Sequence, residues 1–190
     1  MSEFMSMVPE PIENQNALVL DAMNVAFRWK HGNKYNDFAL DYLRTVESLA
    51  QSYDCGKIII TADLFKSKYR KELLPEYKAQ RKEKFKDETP EEKEKSNAFF
   101  EEYEKALELF SDKFLVLRYK EVEADDVAAY ICGNREKYGI EDIWLISSDK
   151  DWDLLIDDHV SRFSTVTRKE STIYNWEEFF DFPIEEYLSF

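Results

Sequence analysis

Three carboxylates, Glu123, Asp125 and Asp126, fall within four positions of the stretch VEADDVAAYI at 122–131. Charges of one sign crowded this closely repel unless a cation sits among them. Oxygen ligands without an adjacent cysteine or histidine set suit a hard divalent ion, Mg2+ or Mn2+, better than zinc. Acidic residues are also favoured in the first turn of a helix, where they face the positive end of its dipole. The cluster alone therefore has two readings, and the placing of the other acidic residues must separate them.

The elements around the cluster do so. An apolar run at 17–20 (ALVL) leads into Asp21, and a β-branched run at 57–62 (KIIITA) leads into Asp63. The run at 114–119 (FLVLRY) precedes the cluster, and 143–147 (IWLIS) leads to Asp149 and Asp151. Continuous apolar runs of this length read as buried parallel strands. Helical spacing covers 37–53, with Phe38, Tyr42, Val46 and Leu49 on one side and Asp37 as the expected N-cap. A second helix is expected over 87–110, with Thr89 as N-cap and Pro90 in its first position. A third runs from the cluster to about Tyr138 and is closed by Gly139, and a short one covers 151–156. Residues 160–164 and 171–174 read as peripheral strands, and 176–190 as two helical pieces split at Pro183. Strands alternating with helices predict an α/β fold with a central, mostly parallel sheet flanked by helices.

Ligands of such sheets bind at the carboxyl ends of the strands. All four acidic endings would gather there, which favours a metal centre over helix capping alone. Two divalent ions about 4 Å apart can clamp a phosphodiester, one activating a water and the other stabilising the leaving oxygen. No protein nucleophile is evident: Ser147 and Ser148 have no obvious imidazole partner, and His31 and His159 are the only 2 histidines.

Composition sets the frame. A chain of 190 residues, 44 % hydrophobic and 15 % aromatic, is enough for one domain with a proper core, and 4 Gly with 5 Pro argue against long linkers. No apolar run reaches the ~18 residues of a membrane span, and the first residues lack a signal-peptide pattern. Residues 1–15 read as a disordered lead, and Cys55 and Cys132 as reduced thiols of a cytoplasmic protein. The net charge of −14 opposes indiscriminate nucleic-acid binding. The charge is uneven, however: 66–86 holds nine Lys/Arg against three Glu, a net of +6, which leaves −20 for the rest. In that segment Lys78, Arg81, Lys82, Lys84 and Lys86 can neutralise phosphates, and the interleaved Tyr77 and Phe85 can stack on bases. Arg28 and Lys30, just past Asp21, offer a second basic group. A solvated charged loop is the plain alternative for 66–86. Tyr103 and Trp144 read most simply as core residues.

Together these pieces resemble the 5′-nuclease (flap endonuclease) family, most closely its bacteriophage 5′–3′ exonucleases. The resemblance is carried by VLDAMNVAFRWKH at 19–31, TAD at 61–63, LLPEYKAQRKEK at 73–84, VEADDVAAYI at 122–131 and WLISSDKDWDLL at 144–155. It runs from about residue 16 to the end, and the combination is specific where any one piece would not be. It implies a 5′-nuclease/PIN-like catalytic domain over 16–190, with a helical arch insertion at about 64–100 enclosing a 5′ single strand. The implied activity is cleavage of branched, 5′-flap DNA near the single-strand/duplex junction at a pair of Mg2+ or Mn2+ ions, of the kind used in phage DNA replication and repair. Carried over by motif, the metal ligands or their water-mediated neighbours would be Asp21, Asp63, Glu123, Asp125, Asp126, Asp149 and Asp151. Lys78 would reach the scissile phosphate, with Tyr77 and Arg81 flanking it to hold the strand, and Arg28 and Lys30 would contact phosphates near the metals.

One departure is large. Family members continue past the equivalent of Phe190 into a Gly-Asp-x-x-Asp motif and a helix–three-turn–helix that grips duplex DNA and supplies two further aspartates to the second metal. On this sequence the first-metal cluster is complete, and the second has only Asp149 and Asp151. The sequence is then a piece of a longer chain, one half of a split protein completed by a separate polypeptide, or a short form with altered activity. Two other functions stand beside nuclease action. One is a DNA-junction binding module that cleaves weakly. The other is a PIN-like ribonuclease, against which the 64–100 insertion speaks.

Overall fold

Five consecutive buried residues, Ala17–Asp21, form β1, the middle of the sheet. The computed structural model describes residues 14–64 and 89–176. Expectations for the lead, for most of the arch and for the aromatic end fall outside the described residues.

Leu18 and Leu20 enter one apolar cluster while Ala17 and Val19 enter another, so the period-two alternation of β1 serves both faces of the sheet. The sheet order is β3-β2-β1-β4-β5-β6, with β2 at Lys57–Thr61, β3 at Leu115–Leu117, β4 at Ile143–Ile146, β5 at Val160–Ser164 and β6 at Lys169–Ser171. All neighbours are parallel except β5 and β6. The chain builds outward from β1 through β2 to β3, then crosses back to β4 on the other side of β1. That reversal makes a crevice above the β1 and β4 ends, the place where open α/β sheets receive ligands.

Helices α1 (Ala22–His31), α2 (Ala39–Ser52) and α3 (Pro90–Ser111) cover one face. Phe38 stacks with Trp29 of α1 and Phe99 of α3, each at 5.5 Å between ring centroids, tying the three helices together. Helix α4 (Ala124–Gly133) and the 3-10 helix Lys150–Leu155 cover the other face through Val127, Ala128, Ile131 and Trp152. Removing one buried aliphatic side chain such as Leu20 would cost about 2–5 kcal/mol.

Several expectations shift. The start of α3 is as read, with Thr89 and Glu92 forming a reciprocal capping box and Pro90 first in the helix. Asp37 does not cap α2: it takes a left-handed backbone (φ 54), and Phe38 stands at the N-cap without a side-chain bond. Buried Glu102 of α3 reaches across and accepts the Ala39 N–H at 3.1 Å instead. The helix expected to reach Tyr138 stops at Gly133 and resumes as a 3-10 turn, Arg135–Tyr138, which Gly139 closes at φ 61. Val160–Ser164 is a parallel member of the main sheet, and its hairpin partner is Lys169–Ser171, slightly before the expected 171–174. Tyr103 is core as read, whereas Trp144 is half-buried and stacks on Tyr53 at 4.1 Å.

Candidate functional site

Asp21 is the last residue of β1 and the N-cap of α1. Its Oδ1 accepts the Asn24 N–H at 3.1 Å and its Oδ2 accepts the Ser147 hydroxyl at 3.0 Å. A parallel strand that feeds directly into a helix turns its final side chain toward that helix's orphan amides, so an aspartate here caps and faces the crevice at once. Burial raises its pKa from 3.8 to about 7; the two hydrogen bonds lower it, and the carboxylates of Asp125 and Asp63 add repulsion.

Asp63 follows β2, and its Oδ1 accepts the Ala124 N–H at 2.7 Å, at the amino end of α4. Its backbone carbonyl accepts from Arg118 Nε at 3.1 Å, while the rest of that guanidinium holds Glu104 bidentately at 2.7 Å. Glu123 is the buried N-cap of α4 and forms a capping box with Asp126, whose Oδ2 accepts the Glu123 N–H at 3.2 Å. The capping reading of the acidic cluster is realised in part: Glu123 and Asp126 cap the helix, and Asp125 points elsewhere. Asp125 Oδ1 accepts the indole N–H of Trp152 at 2.8 Å. Burial raises its pKa, and repulsion from Asp149, Asp63 and Glu123 adds to the rise.

The loop after β4 closes the group. Ser147 is fully buried, and besides donating to Asp21 its hydroxyl accepts the Asp149 N–H at 3.1 Å. Asn24 Oδ1 accepts the Ser148 N–H at 2.8 Å, stitching the same loop to α1. Asp149 Oδ1 accepts the Asp151 N–H at 3.1 Å, and Asp151 itself is exposed. Asp153, two residues on, is 1 % exposed and paired with the buried Arg162 guanidinium, which also donates to the Ser147 carbonyl at 3.0 Å.

At the carboxyl ends of β1 to β4 the structure thus brings Asp63, Glu123 and Asp149 within electrostatic reach of Asp125, and Asp125 and Asp63 within reach of Asp21. Asp126 is turned to its helix cap and Asp151 stands at the outer edge of the group. Among the described residues, no three acidic, histidine or cysteine side chains are close enough together to form a ligand set. Arg28 is exposed in the last turn of α1, seven residues and about 10 Å along the helix from Asp21. Lys30 turns toward α3: its ammonium donates to Ser96 Oγ at 3.0 Å and lies 5.3–5.5 Å from the rings of Phe27, Phe99 and Phe100. Tyr77, Lys78, Arg81, Lys82 and Lys84 lie outside the described residues.

Sequence reasoning missed the residues that orient these carboxylates. Ser147 and Asn24 carried only generic signals, a hydroxyl after a strand and an amide in a first turn. Trp152 had a better one, since a tryptophan between two aspartates needs an acceptor for its N–H when buried. Arg162 sat in a strand with no sign of its buried acidic partner.

The model of the 5′-3′ exonuclease, N-terminal resolvase-like domain matches residues 16–181. The flap endonuclease of Escherichia phage T5 is 40 % identical over 181 residues, which is 95 % of this chain and 62 % of that protein. This chain therefore spans about three fifths of that relative's length. Among solved structures, T5 5′-exonuclease with bound zinc ions superposes with a TM-score of 0.83 at 41 % identity, over 90 % of this chain and 64 % of the other. A complex of the T5 flap endonuclease with DNA and metal ions superposes with a TM-score of 0.80 at 42 % identity, over 86 % and 60 %.

Proposed function

The chain belongs to the 5′–3′ exonuclease family through its N-terminal, resolvase-like domain, and on that premise we propose that it is the catalytic part of a divalent-metal-dependent 5′ nuclease. Its substrate is branched DNA with a 5′ single strand, cut near the junction. The observation that carries the reading is the gathering of Asp21, Asp63, Glu123, Asp125 and Asp149 at the carboxyl ends of four adjacent strands, where Asp63, Glu123 and Asp149 repel Asp125, and Asp125 and Asp63 repel Asp21. The two T5 structures with metal ions, and the one with DNA, support it from outside.

The donor set fits Mg2+ or Mn2+: every candidate ligand is a carboxylate, hard and anionic. Bound there, such ions would lower the pKa of a water and offset charge on the phosphate. The chain's own residues do the rest. Asp21, Asp63, Glu123 and Asp125, with Asp126 behind them, would hold one ion. Asp149 and Asp151 would belong to a second, whose remaining ligands would come from a helix–three-turn–helix region on the same or a separate polypeptide. Ser147 and Asn24 keep Asp21 and the β4 loop in register. Lys78 and Arg28 meet the phosphate being cut, and Tyr77, Arg81, Lys82 and Lys84 hold the single strand. Lys30, whose ammonium donates to Ser96 Oγ, would have to leave that partner to contact a phosphate near the metals.

The test is cleavage of an end-labelled 5′-flap DNA in Mg2+ and in Mn2+, with Asp125→Ala and Lys78→Ala beside the wild type. Metal-dependent cutting near the junction, lost in both variants while their melting curves persist, is the expected result. Metal-dependent binding of the flap without cutting would make the chain a junction-binding half whose second ion needs another polypeptide. Preferential cutting of single-stranded RNA would replace the DNA reading with a PIN-like ribonuclease.

A further inference from the structure

Trp152 is among the largest fully buried side chains of the described residues, and most of its ring lies in the apolar cluster with Val127, Ile131 and Leu145. Its one polar atom does not stay in that cluster. Nε1 donates to Asp125 Oδ1 at 2.8 Å. A phenylalanine here would be apolar and need no acceptor, though smaller than the indole, so the tryptophan at this position has a polar consequence. The segment that carries it is anchored from beneath, where Asp153 of the same 3-10 helix pairs with Arg162, and Arg162 donates to the Ser147 carbonyl. The ring is therefore held on its apolar face by packing and at its base by a buried ion pair. Carboxylates that receive metals need such outer partners, because an unrestrained carboxylate loses rotational freedom on binding.

We propose that Trp152 is a positioning residue for the candidate metal centre: its indole N–H commits Asp125 Oδ1 and leaves Oδ2 as the oxygen available to a divalent cation. Cation affinity then depends on a residue that does not itself touch the cation. The proposal rests on the metal-dependent reading above, and the measurement keeps the two apart.

The experiment is Mn2+ binding by calorimetry to the wild type, to Trp152→Phe and to Leu155→Ala. Leu155 packs against the same apolar cluster, so its truncation reports packing loss alone. Trp152→Phe is expected to bind Mn2+ about 10–100-fold more weakly, the usual cost of losing an outer partner of a ligand, and Leu155→Ala to bind as the wild type does. Wild-type affinity in Trp152→Phe, or an equal loss in Leu155→Ala, would overturn the proposal and leave the metal reading intact. A wild type that does not bind Mn2+ would take down the metal reading and the proposal with it. Should Trp152→Phe fail to fold, the wild-type indole resonances decide. One of the 4 tryptophan N–H signals should move with Mg2+, and four unmoved signals would overturn the proposal.

Discussion

Two acidic places, one at buried Asp153 and one at buried Asp21 and partly buried Asp125, lie side by side in this protein, and the chain treats them differently. Asp153 is given a cation: the Arg162 guanidinium, itself buried, pairs with it and pulls its carboxyl back down against the rise that burial imposes. Asp21 and Asp125 are given neutral donors, the Asn24 amide, the Ser147 hydroxyl and the Trp152 indole, and they have other carboxylates for neighbours. Neutral donors orient a carboxylate without cancelling its charge. A structural acid thus receives its counter-charge from within the chain, whereas Asp21 and Asp125 are oriented by neutral donors alone and burial pushes their carboxyls up in pKa.

This contrast can be broken at either end. The largest effect is expected at the structural pair: Arg162→Met strands a buried aspartate and should cost about 3–5 kcal/mol in urea unfolding. A neutral outcome would mean that Asp153 needs no partner.

Next comes pH. The folded Asp21 carboxyl keeps its proton up to about pH 7, whereas the unfolded one releases it near 3.8. The folded state therefore binds more protons between those values, and metal-free stability should fall as pH rises through that window, by roughly 2–4 kcal/mol. Asp21→Asn keeps the cap and should remove that component from the pH profile; a profile unchanged by the substitution would contradict the burial of a proton-holding acid here.

Third, Mn2+ at 100 times its dissociation constant should stabilise the wild type by about 2.7 kcal/mol through linkage. A melting curve indifferent to millimolar Mn2+ would erase the distinction between the two acids. Smallest, Asp125→Asn in the absence of metal should melt roughly 2–4 °C higher because it relieves repulsion, while abolishing the metal response. A lower melting point would place Asp125 with Asp153 among the structural acids.

Much of the fold was legible because strands buried on both faces are continuous apolar runs. Residues 17–20, 57–62 and 143–147 carry that signal, and all became neighbours in the sheet. The start of α3 was legible for a local reason, since Thr89, Pro90 and Glu92 satisfy its amides among themselves. The start of α2 was not, because its cap is Glu102, 63 residues away. The acidic endings of the strands were readable, but their division of labour was not. Nothing local separates Asp125, which meets Trp152, from Asp126, which turns back to cap its own helix.

The sequence by itself determined the alternation of strands and helices, the acidic residue at the end of each central strand and the membership of a nuclease family. These follow from short-range chemistry: apolar runs must be buried, and motifs are contiguous. Only the tertiary structure decided which acids share one crevice, which acid is neutralised by Arg162, and which neutral donors aim the rest. Those outcomes depend on strand order, and strand order places Asp21 beside Ser147 across 126 residues of chain.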